Sequence, residues 1–309
     1  YTGWYTLSLH DALPIYVVVA LVLSFFSDPD ATDYNSPKQV KYVDEFDGWV
    51  AKTKNIVWRP NTGDLAHWRS GGPLSISDIG KTLKKVSEKG LIGITVDRVP
   101  TSWWATQGPQ YYLMSQLVWN PDRTVDEIMD DYYKSGFGPA AEDIKKYWTM
   151  LEGNRNEIIK NKKDWMDVFN SEFFKNAGAI LDQATVKAKG QEEYLTRIAF
   201  VKAGLDYLRL NTENQALVRQ KLALKTEDPA IKLKMTENWK QIVDILQKHP
   251  LALEASEINK AGTNGELGYI HPDADHKAIE EKRIRKGDLN KKAINSALEL
   301  DPEFGYDRF

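Results

Sequence analysis

Residues Tyr16–Phe26 read YVVVALVLSFF, and the reading of this stretch decides the fold. It is continuously apolar and β-branched, the pattern of a strand covered on both faces, as in a parallel sheet. It also falls far short of the roughly 20 residues a membrane span needs, so a buried strand is the expectation. Working outward, SDPDATDYNSP is turn-rich, and Val40, Val43, Phe46 and Val50 then recur at helical spacing within Pro37 to Thr53. Asn55 to Trp58 predicts a second strand, followed by a Gly-rich loop from Asn61 to Pro73. Ile79, Leu83 and Val86 share one face of a helix over Ile76 to Lys89, Gly90 closes it, and Leu91 to Val96 predicts a third strand. Parallel neighbours need crossovers, so strand, helix, strand, helix, strand with short links implies an α/β layer over residues 16–120.

Beyond Pro109 the pattern turns helical. Tyr111 to Val118 predicts an apolar helix, and Thr124-Val125-Asp126-Glu127 is a capping box opening another, with a stripe of Val125, Ile128, Met129, Tyr132 and Tyr133. Phe137-Gly138-Pro139 breaks that helix, and Ile144, Tyr147, Trp148 and Leu151 line the next. Further amphipathic stretches cover Phe173–Lys189, Glu192–Leu210, Gln215–Thr226 and Ile231–Leu246, the clearest stripe being Leu195, Ile198, Val201, Leu205 and Leu208. Residues 121–254 thus read as an antiparallel helical bundle, and 255–309 as an irregular tail with a short helix near Lys277 to Arg285.

The first fifteen residues, YTGWYTLSLHDALPI, resemble the translation of a sequencing adapter. The natural beginning of the chain is therefore expected to be lost, and His10 and Asp11 are expected to carry no chemistry. The whole has 309 residues, 42% hydrophobic and 28% charged, as in ordinary globular chains. A net charge of −3 gives no general attraction to nucleic acid or anionic lipid. The absence of cysteine excludes disulfides, thiolate metal sites and cysteine nucleophiles. Ten Trp and fourteen Tyr suit either a large core or a surface that covers the flat faces of sugars.

In parallel α/β folds, ligands gather at the C-terminal ends of the strands. Those positions here hold Ser27-Asp28, then Trp58-Arg59-Pro60-Asn61, then Asp97-Arg98 followed by Trp103-Trp104-Ala105-Thr106-Gln107. Arg59, Asn61, Asp97 and Arg98 can bind sugar hydroxyls or a sugar carboxylate, with Gln107 beside them and Trp58, Trp103 and Trp104 available for stacking. The structural alternative pairs Asp97 with Arg98 or Arg59 and packs the tryptophans against helices. His67 and Trp68 lie in a loop that can cover such a site. His271, Asp273, Asp275 and His276, in HPDADH, are metal-ligand types without a known ligand spacing, so no metal is expected, and no cofactor motif is present. Asp130-Asp131 and Asp44-Glu45 read as solvated helix faces.

The blocks FDGWVAKTKNIVWRPN, GITVDRVPTSWWATQGPQYYLMSQLVWNP and DEIMDDYYKSGFGPAAEDIKKYWTMLE resemble domain-of-unknown-function family 4838, bacterial glycoside-hydrolase-like proteins related in fold to α-glucuronidases. The resemblance covers most of Phe46 to Leu210. It implies a TIM-like (β/α) barrel followed by helices, in secreted or periplasmic enzymes acting on polysaccharide. Glycosidases usually work with two carboxyl groups flanking the scissile bond. A barrel has eight strands and three are readable, so the acid–base pair is expected upstream, with Asp97 the best remaining carboxylate and more suited to binding than to catalysis. The expectation is thus the C-terminal part of a glycoside hydrolase, without turnover by itself. The alternatives are a non-catalytic carbohydrate-binding or structural protein, and a helical interaction module.

Overall fold

The computed structural model describes residues 17–23, 37–60, 74, 76–96, 104–159, 161–224, 228–249 and 270–281. Three parallel strands, β1 (Val19–Val22), β2 (Ile56–Arg59) and β3 (Gly93–Ile94), lie in the order β1-β2-β3. Val22 faces Arg59 in the register and Trp58 faces Ile94. The crossovers carry helices α1 (Pro37–Val50) and α2 (Ile76–Ser87), so the strand and helix order expected from the sequence is present. Gly90, at φ +91, takes the left-handed conformation in the turn that follows α2.

Two expectations about this layer need correction. β1 is not covered on both faces: Leu21 and Leu23 are buried, whereas Val18 and Val22 remain 54% and 49% exposed. A uniform apolar run hides such an alternation, because every residue in it could serve either face. In α1, Phe46 is fully buried, but Val40 is exposed, and Gln39 takes the inward place with Tyr42, Val43, Trp49 and Val50 packed alongside. The departure is confined to the first turn, where Gln39 stands in the place expected of Val40, while Val43, Phe46 and Val50 face the core as the spacing suggested.

Helix α3 (Trp104–Trp119) begins well before Tyr111, with Pro109 inside it. Proline has no N–H, so the carbonyl of Ala105, four residues earlier, loses its helical donor. That carbonyl packs against Gly204, so closely that a Cβ there would overlap it. The carbonyl that the proline deprives of its helical donor is thus the one against which Gly204 packs.

The remaining described chain is helical: α4 (Val125–Phe137), a 3-10 turn (Gly138–Ala140), α5 (Ala141–Ile159), α6 (Trp165–Val168), α7 (Ser171–Lys187), α8 (Glu192–Ala223) and α9 (Pro229–Lys248). The capping box at Thr124 forms as read, the Glu127 N–H donating to Thr124 Oγ1 at 3.2 Å and the Thr124 N–H to Glu127 Oε2 at 2.8 Å. Glu192–Leu210 and Gln215–Thr226, expected as separate helices, are one helix of 32 residues. The intervening Asn-Thr-Glu-Asn is polar throughout, yet Asn211 and Asn214 are fully buried. Asn214 donates to the carbonyls of Met235 (3.3 Å) and Ile270 (3.2 Å) and accepts from Asn238 at 3.0 Å. The polarity of Asn214 is spent on joining α8 to α9 and to the segment at Ile270, while Asn211 Oδ1 accepts from Gln215 within α8 at 2.7 Å.

One core joins the sheet layer to α3–α8, through Trp58, Ile79, Leu113, Ile128, Trp148, Leu181 and Leu208. A smaller cluster of Ala105, Tyr207, Leu210, Trp239, Ile242, Leu246 and Ile270 seats α9 on α8 and on the first turn of α3. Between the sheet layer and the helices, Arg155 of α5 pairs with Asp78 of α2, both nearly buried, and the Ser77 N–H donates to Glu152 at 2.7 Å. None of the described helices is long and apolar enough to cross a membrane.

Candidate functional site

The parallel register brings Leu23, Arg59 and Thr95 to one edge of the sheet, at the C-terminal ends of the strands. Thr95 donates its N–H to the Trp58 carbonyl at 2.9 Å, extending the pairing one step past β3. Arg59 is exposed at this edge and Pro60 after it is buried. Trp58 is completely buried, and its indole Nε1 donates to the Leu23 carbonyl at 3.0 Å. In this arrangement that ring is a pillar between β1 and β2 and offers no open face to a ligand. Asn61, His67, Trp68, Asp97, Arg98 and Trp103, with Ser27 and Asp28, lie outside the described residues.

Trp104 opens α3, and Gln107 stands one turn into it. Here the helix is buried: Ala105, Thr106, Gln107 and Gln110 are each at most 2% exposed. Gln110 Nε2 donates to Gln107 Oε1, while Gln107 Nε2 is buried with no hydrogen-bond partner. A buried amide donor left unpaired costs about 1–3 kcal/mol.

A concave region of about 770 Å³, away from the strand ends in sequence, is lined by Lys221, Leu224, Lys232, Asp273, Asp275 and His276. It contains the HPDADH segment, and both of its aspartates are engaged. Asp273 pairs with Lys232 at 3.0 Å, and this lysine holds its carboxyl below the usual range. Asp275 Oδ1 accepts from the Ala278 N–H at 3.0 Å and caps the helical turn 276–281. His271 meets Trp239 edge to face at 4.7 Å and accepts from the Asp273 N–H on Nδ1 at 3.1 Å. Burial lowers its pKa and favours the neutral imidazole. Among the described residues, no three carboxylate or imidazole groups converge to hold a metal ion.

Sequence reasoning treated Asp130 and Asp131 alike, and the structure separates them. Asp130 lies between Lys134 (3.3 Å) and Lys145 (3.0 Å) at the surface. Asp131 is half-buried and accepts from Tyr112 Oη at 2.8 Å and Ser135 Oγ at 2.9 Å, bonds that lower its pKa. Asp44 and Glu45 are exposed. The Asp78–Arg155 pair went unread, although Asp78 between Ile76 and Ile79 was a visible sign of a charge on an inward face.

Residues 17–149 match the model of the domain of unknown function DUF4838, a span running from just before β1 to within α5. This segment belongs to the DUF4838 family. Neither the curated proteins nor the solved structures contain a match to the chain. The DUF4838 segment therefore holds the whole described sheet, the strand-end edge and Gln107, while α6–α9 and the HPDADH groove lie beyond it.

Proposed function

We propose that the DUF4838 segment is part of a glycoside hydrolase of (β/α)-barrel architecture followed by a helical bundle, acting on poly- or oligosaccharide outside the cytoplasm. The observation that carries this reading is the parallel β1-β2-β3 sheet, in sequence order with helical crossovers, whose C-terminal edge presents Arg59. Arg59, Asn61, Asp97, Arg98, Trp103, Trp104 and Gln107 form the sugar subsite, with the arginines suited to a hydroxyl pair or a uronic carboxylate. Asp97 binds substrate, and the acid–base pair stands on other strands of the barrel.

The test is hydrolysis and binding of xylan, glucuronoxylan and β-glucan fragments by this chain and by a version extended upstream in the same reading frame. The extended protein is expected to release reducing ends, and this chain to bind without turnover. Arg59→Ala and Asp97→Asn in the extended protein should each lower activity at least ten-fold. Binding without hydrolysis by the extended protein would favour a non-catalytic carbohydrate-binding role instead. Should neither protein bind any of these glycans, the reading fails.

A further inference from the structure

Trp119, the last residue of α3, is 90% exposed, more than any other large apolar side chain among the described residues. Of the WNP motif in the sequence, the strand-end site makes no use: Trp119 closes α3, at the opposite end of that helix from Trp104 and Gln107. Three and seven residues before it, Gln116 and Tyr112 lie on the same helical face. This row is closed by polar groups. Arg123 donates to Gln116 Oε1 at 2.9 Å, and Tyr112 Oη donates to Asp131 at 2.8 Å. Behind Tyr112, Tyr132 packs at 5.1 Å and fixes its ring. The loop leading to Arg123 is tied down by the Asp122 N–H donating to Asn120 Oδ1 at 3.1 Å.

From this row we infer that α3 and the start of α4 form a surface platform for an extended, β-linked glycan chain, with one sugar ring on the Trp119 indole and neighbouring hydroxyls on Arg123 and Gln116. Three considerations favour a glycan over other occupants. The apolar exposure is one ring, with Val118 turned partly to its side, and a protein interface needs a broader apolar centre. A flat indole beside an arginine and an amide matches the two surfaces of a pyranose, an apolar C–H face and a rim of hydroxyls. Tyr112 and Trp119 are separated along the axis by about 10 Å, which a straight chain of two linked rings spans, while a coiled glycan would leave the row. The platform shares its ligand class with the proposed function but stands apart from the strand-end subsite. It therefore serves to hold polymer near the enzyme, with no part in bond cleavage.

The experiment is native gel electrophoresis of this chain through gels cast with xylan, with mixed-linkage β-glucan or with dextran, alongside light scattering. Retardation by xylan or β-glucan and none by dextran is expected. Trp119→Ala, which removes only exposed atoms, should weaken it about ten-fold or more, and Arg123→Ala by a smaller factor. Arg59→Ala separates off the strand-end subsite: the retardation that remains in that variant should still fall about ten-fold when Trp119→Ala is added. Retardation that survives Trp119→Ala and disappears with Arg59→Ala would overturn the platform and leave the strand-end reading standing. No retardation in either β-linked gel overturns the platform, as does light scattering that finds a dimer which Trp119→Ala turns into a monomer.

Discussion

Trp58 and Trp148 are both completely buried, yet they hold together different kinds of structure. Trp58 belongs to a layer of short strands, four, four and two residues long, where Val18, Val22 and Ile92 stay about half exposed. Trp148 lies in α5, edge to face with Tyr147 at 4.8 Å, among long helices that cap themselves and pack against several neighbours. Local hydrogen bonds and nearby contacts sustain the helices, while the sheet depends on pairing across long stretches of chain. The helical part should therefore be the more stable of the two, with the sheet layer opening first.

The largest test of that contrast is a matched pair of substitutions. Trp148→Ala should cost about 3–5 kcal/mol and lower the whole unfolding transition. Trp58→Ala removes as large a side chain, but its damage should concentrate in β1–β3. Hydrogen exchange is expected to show faster exchange in Ile56–Arg59 with α7 and α8 still protected. Equal loss of protection everywhere would mean that sheet and helices unfold as one unit.

The joint between the two regions can be attacked next. Arg155→Met leaves Asp78 buried without its partner, a change expected to cost about 3–5 kcal/mol. The double variant Asp78→Leu with Arg155→Met should regain most of that in urea denaturation, since two apolar groups replace two charges. Gly204→Ala forces a methyl group onto the Ala105 carbonyl and should cost about 1–3 kcal/mol, read as a lower midpoint and a loosened α3.

These joints also show what could and could not be read from the sequence. Thr124-Val125-Asp126-Glu127 was legible because a capping box is a local device, and the three strands were legible because their composition and spacing are. The join of Glu192–Ala223 into one helix was not, because the hydrogen bonds that let Asn214 be buried involve Met235, Asn238 and Ile270, which come together only in three dimensions. Val40 and Gln39 exchanged roles for the same reason, since a departure confined to the first turn is invisible until the neighbours are placed. At the strand ends, Arg59 kept its exposed place while Trp58 turned inward, and alternation along a strand decides which of two adjacent residues can meet a ligand.

The smallest expected effect sharpens the contrast through pH. The carboxyls of Glu127, Asp130, Asp131, Glu157 and Asp164, all in the helical part, are held below their usual values, Glu127 mainly by the Thr124 N–H and Asp130 mainly by Lys145. A carboxyl lowered by folding stabilises the fold fully above its unfolded value, about 4, and loses that contribution as pH falls through the lower folded value. Acidification from pH 6 to pH 3 should therefore lower the melting temperature of the helical part. Glu127→Ala removes the carboxylate that accepts from the Thr124 N–H and should lower the melting temperature slightly at pH 7. The gap between this variant and the parent should narrow on acidification, because the parent then loses what the variant never had. If the gap stayed constant from pH 7 to pH 3, the threonine would stabilise α4 through its own cap alone, and the charge on the glutamate half of the box would contribute nothing.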